Sequence, residues 1–88
     1  MFEDIKRLIF DGSTDEAINQ LDEFIAHDSS NDEAFFLRGN AYRKKGEIRL
    51  ALNNYLEAIH RNPQSPAQVA YDTMMDNLNF YYKEIYNQ

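Results

Sequence analysis

Chemistry needs reactive side chains held at useful spacings, and this sequence supplies few of them. Cysteine is absent, which excludes disulfides, thiolate metal sites and thiol nucleophiles. The two histidines, His27 and His60, are the obvious candidates for acid–base work. They have no HExxH spacing and no serine or cysteine partner of the kind a nucleophilic site requires. Both fall near the ends of helical stripes, where an imidazolium suits the helix dipole. The three glycines form neither a P-loop nor a dinucleotide fingerprint. The run Asp11-Gly12-Ser13-Thr14-Asp15-Glu16 gathers carboxylates without the ligand spacing of a calcium loop. The sequence therefore predicts no catalytic residue, no metal and no cofactor, and a protein that is not an enzyme.

Charge narrows the partners. Nine Lys and Arg stand against fifteen Asp and Glu in 88 residues, a net charge of −6. Such a balance opposes nucleic acid and anionic lipid as partners. Five of the nine cations fall between Arg38 and Arg49, with Tyr42 among them, but Glu47 interrupts the run. An apolar content of 43% is too high for a disordered acidic tail. No apolar stretch reaches the roughly 18–20 residues that span a membrane. The opening MFEDIKRLIFDG carries Glu3 and Asp4 and does not read as a signal peptide. With cysteine absent as well, the expected location is the cytoplasm. A last feature is the aromatic run Phe80-Tyr81-Tyr82-Lys83-Glu84-Ile85-Tyr86.

The elements that position these residues come from an internal repeat. A shift of 34 places Phe2 on Phe36, Gly12 on Gly46, Ala17 on Ala51, Asn19 on Asn53, Glu23 on Glu57 and Ile25 on Ile59. Each copy reads as two helices. In the second, Ala34, Phe35, Leu37, Ala41 and Tyr42 recur at helical spacing, Gly46 breaks the run, and Ala51, Leu52, Tyr55, Ala58 and Ile59 form a second stripe. Asn62-Pro63 ends it, because the residue before proline avoids helical geometry. Period-2 alternation is missing, so no strand is expected. Ser13–Glu16, Ser30–Glu33 and Ser65–Gln68 read as capping boxes, with Pro66 at a first helical position. From there to about Asn87 nothing breaks the helix. Ala67, Tyr71, Met74, Met75, Leu78, Tyr81, Tyr82 and Ile85 share one broad face at about 100° per residue. Phe80 points away from it.

The stretch AFFLRGNAYRKKGEIRLALNNYLEAIHRNP, residues 34–63, resembles a tetratricopeptide repeat. Phe35 or Phe36 fills the early aromatic position, Gly39 the small residue of the first helix, Tyr42 the following tyrosine and Gly46 the turn. Ala51, Tyr55 and Ala58 match the small–aromatic–small pattern of the second helix, and Pro63 the closing proline. Residues 2–31 resemble a degenerate copy, with Ile5 for the small residue, Phe24 for the second alanine and Ser29 for the proline. The larger side chains either push that helix pair apart or fill room left by the lack of a preceding helix. The resemblance implies one domain over 1–88: an all-α, right-handed solenoid of two antiparallel helix pairs, 2–31 and 32–65, plus a C-terminal capping helix over 66–87. Stacked pairs share a core that a lone pair cannot bury.

The resemblance also implies a concave groove lined by the first helix of each pair. The groove residues would be Phe2, Lys6, Phe36, Asn40, Arg43, Lys44 and Met74, with Ile9, Phe10, Glu33, Ala67, Ala70, Asn77 and Leu78 beside them. Positions 36, 40, 43 and 44 lie within one helical stripe. The expected function is a protein–protein interaction adaptor that takes a peptide or protein segment in this groove. Lys6, Asn40, Arg43 and Lys44 would make the polar contacts, and Phe2, Phe36 and Met74 the floor. Some family members clamp a ligand carboxylate with an asparagine at the place of Asn40 and with cations on the third groove helix. Ala67, Ala70 and Tyr71 stand there in this chain, so the full clamp is missing. The alternative is a structural subunit or weak homodimer acting through Phe80, Tyr82 and Tyr86.

Overall fold

The structure, a computed structural model, describes the backbone of residues 1–86 and the side chains of residues 1–79. The described residues form five α-helices and no strand: α1 (Glu3–Phe10), α2 (Thr14–His27), α3 (Asp32–Lys45), α4 (Ile48–Arg61) and α5 (Ala67–Tyr86). The fold is all-α, as the periodicity predicts.

The repeat of 34 reappears in the turns. After α1, the Gly12 N–H donates to Ile9 O and the Ser13 N–H to Leu8 O; after α3, the Gly46 N–H donates to Arg43 O and the Glu47 N–H to Tyr42 O. These paired bonds are the Schellman closure of a helix, which needs a left-handed residue at its centre. Gly12 and Gly46 supply it with φ of 88° and 90°. α2 and α4 end differently, on the extended residues Asp28 and Asn62, the second of which precedes Pro63.

The helix starts depart from the expected capping boxes. α3 is capped by Asn31, whose side chain accepts from the Ala34 N–H at 3.1 Å. Ser30 instead donates its hydroxyl to Asp28 Oδ1 at 2.6 Å, with its N–H on the same oxygen at 3.0 Å. Those two bonds, the hydroxyl first, hold the Asp28 carboxyl below its usual pKa. Ser13 precedes α2 without a side-chain cap. Ser65 does cap, its Oγ accepting from the Ala67 N–H at 3.1 Å.

Consecutive helices pack on one another, and α1 also meets α3. Phe2, Ile5, Ala17, Leu21, Ala34 and Leu37 form one buried cluster. Phe35, Ala51, Tyr55, Ala58, Ala67 and Met74 form a second. Gly39 marks the closest approach of α3 to α4: a Cβ built there would lie 2.6 Å from Tyr55 Cε1 and 3.3 Å from the Ala51 carbonyl oxygen. Ile5 and Phe24, the bulky residues of the first pair, are accommodated. Ile5 is buried, and the half-buried Phe24 ring meets Phe2 edge-on at 5.0 Å. Arg38 ties the layers together, donating to Asn54 Oδ1 on α4 at 2.7 Å and to Asp22 Oδ1 on α2 at 2.8 Å.

Candidate functional site

α1 and α3 enclose a cleft of about 430 Å³. Ile9, Phe36 and Leu37 form its apolar floor, and Lys6, Asn40, Arg43 and Lys44 its polar wall. Phe10 stands at the rim, 81% exposed. A smaller depression of about 210 Å³ lies between α3 and α5, bounded by Ile48, Met74, Asn77 and Leu78. Arg43 lines both.

Five of the seven expected groove residues therefore come together at the cleft: Lys6, Phe36, Asn40, Arg43 and Lys44. Met74 is placed at the second depression and is otherwise buried in the α4–α5 core. Phe2 is not at the cleft. It is 3% exposed in the first core and borders a different hollow with Ile5, Phe24 and His27. Phe80, Tyr82 and Tyr86 lie outside the residues whose side chains are described. Leu37 and Ile48 line the two concavities; the sequence places Leu37 only on an apolar stripe and does not single out Ile48.

The polar wall is not a uniform basic strip. Lys6 Nζ lies 3.6 Å from Glu3 and 3.5 Å from Glu33, so its charge is met from both sides. Lys44 Nζ donates to the Phe10 carbonyl at 2.6 Å and stands 5.5 Å from the Phe10 ring centroid. It thus covers an orphan carbonyl at the end of α1, where a cation suits the dipole. Lys45 turns away to Asp15 at 2.6 Å, an ion pair that raises its pKa. Arg43 alone among the cleft's cations has no carboxylate or carbonyl partner among the described residues. Asn40 Oδ1 accepts from the Tyr55 hydroxyl at 2.6 Å. The amide's remaining donor, Nδ2, has no acceptor among the described residues, and Asn40 lines the cleft. Burial raises the Tyr55 pKa while the Arg43 charge opposes the rise, so the hydroxyl stays a donor and holds Asn40 in place. The Tyr55 and Phe36 rings pack with centroids 6.0 Å apart, so the cleft floor rests directly on the second core.

The fold and this cleft define a small all-α protein with a concave, apolar-floored surface carrying a few directed polar groups. No family model matches the sequence, and no curated protein matches it. Among solved structures, the chain is similar to the Bacteroides fragilis protein BF1650, determined by solution NMR. The two are 48% identical, with a TM-score of 0.87, over 100% of this chain and 90% of that one. The chain belongs to the same family as BF1650.

Proposed function

We propose that the protein is a non-enzymatic, cytoplasmic adaptor of the tetratricopeptide type: two antiparallel helix pairs in a right-handed solenoid, closed by α5, that take a peptide or protein segment in the α1–α3 cleft. The observation that carries this reading is the cleft itself. It joins a half-buried apolar floor, with the exposed Phe10 at its rim, to a guanidinium without a partner among the described residues, at one concave face. Apolar floors with a few convergent polar groups are the usual form of a binding site. The matching turns at Gly12 and Gly46, 34 residues apart, and the close packing at Gly39 support the repeat assignment.

The test is a random-peptide display selection on the immobilised protein, followed by amide chemical-shift mapping of the selected peptides. The expected shifts fall on Ile9, Phe10, Asn40 and Arg43, and the Arg43→Glu variant loses the selected binders. Peptides that map instead to the hollow around Phe2 and Phe24 would sink this reading.

A further inference from the structure

We infer that the segment this cleft takes carries a single acidic residue between two large apolar residues, with its carboxylate on the Arg43 guanidinium. The inference rests on the peptide-binding reading above and specifies the occupant. Three cations border the cleft, and two are engaged: Lys6 by Glu3 and Glu33, Lys44 by the Phe10 carbonyl. Arg43 is the one left to answer an incoming charge among the described residues. Asn40 lies three residues earlier on the same face of α3; its Oδ1 holds the Tyr55 hydroxyl, and its Nδ2 has no hydrogen-bond acceptor among the described residues. A guanidinium fork beside an amide donor suits one planar carboxylate.

The apolar requirement comes from the two concavities that share Arg43. One lies toward α1 over Ile9 and Phe36, about 430 Å³, and the other toward α5 beside Met74 and Leu78, about 210 Å³. An apolar cavity of about 150 Å³ already accepts benzene, so each has room for a branched aliphatic or aromatic side chain. A segment crossing both would drop one apolar side chain on each side of Arg43 and its acid between them. The net charge of −6 sets the number of acids. An acidic run would meet repulsion from the rest of the molecule, whereas one carboxylate is compensated locally.

Fluorescein-labelled peptides with one Glu between two Leu, at spacings from adjacent to a helical turn, test this by anisotropy. Twins replace Glu by Gln, by Lys or by a run of Glu, or replace either Leu by Ala. The Glu peptide of best spacing should bind on the order of tenfold tighter than its Gln twin, and tighter than the Glu-run peptide. Each Leu→Ala change should weaken it, and Arg43→Glu should turn the preference toward Lys. Its amide shifts should appear at both Phe10 and Leu78. Equal binding of the Glu and Gln twins, or an unchanged preference in Arg43→Glu, overturns this inference. If the shifts still fall on the cleft, peptide binding there survives. No binding by any peptide, or shifts confined to another face, overturns both readings. Arg43 is exposed, so circular dichroism of Arg43→Glu should match the parent and separate lost recognition from lost folding.

Discussion

At the scale of single residues, Gly39 has the sharpest consequence. Glycine in a helix interior ordinarily costs about 1 kcal/mol relative to alanine, so Gly39→Ala in an open helix would stabilise. Here the added methyl meets the ring of Tyr55 at 2.6 and 2.7 Å, and Tyr55 is fully buried. That ring cannot swing aside without disturbing its hydroxyl bond to Asn40. The overpacking cost, about 1–3 kcal/mol, outweighs the propensity gain. Gly39→Ala should therefore lower the denaturation midpoint and move the Asn40 side-chain amide signals; a stabilised variant would refute the close approach. The cleft residues were partly legible in the same way. Phe36, Asn40, Arg43 and Lys44 share a stripe that the sequence displays. What it hides is the state of each charge. The ion pair of Lys6 with Glu33 joins α1 to α3, and the bond from Lys44 to the Phe10 carbonyl spans 34 residues. No spacing rule along one helix reveals either, so a strip of four polar groups reads as evenly basic until the helices are packed.

At the scale of elements, breaks were legible, whereas of the three expected caps only Ser65 forms its bond. Gly12, Gly46 and Pro63 each leave the backbone little choice, and every one of them ends a helix where the sequence predicts. Starts are decided by competition among neighbouring polar side chains. Around residue 30, Ser30 and Asn31 can both cap, and Asp28 draws the Ser30 hydroxyl away, so the cap falls to Asn31. The expected result is that Asn31→Ala costs about 1 kcal/mol in chemical denaturation, while Ser13→Ala, which removes no side-chain cap, is close to neutral. Equal losses in the two variants would contradict this assignment. Phe2 shows the same limit at the other end of α1. Its match to Phe36 suggests a shared role, but Phe36 has Tyr55 behind it, whereas Phe2 turns inward against Phe24. Equivalent positions diverge because the layers behind them differ.

At the scale of the molecule, α3 belongs to both cores. Ala34 and Leu37 lie in the first and Phe35 in the second, and Phe36 and Ile25 pack against both. Arg38 adds bonds to α2 and α4. α3 should therefore open only when the whole chain unfolds. α1 is the opposite case. It has eight residues, of which Ile5 alone is buried, and a helix that short has no stability of its own. Native-state hydrogen exchange should show α1 amides opening at least about 1–2 kcal/mol more easily than those of α3. Equal protection would mean that the five helices open as one unit. The difference bears on binding, because α1 supplies Lys6, Ile9 and Phe10 to the cleft. One wall of the site is thus a short helix with a single buried residue, and the other is the helix most tied to the core. A segment bound between them must fix α1 in place. The Glu-centred peptide should accordingly slow exchange in α1 by a larger factor than in α2, which borders neither concavity. Protection that rises equally in both helices would show the ligand acting on global stability alone.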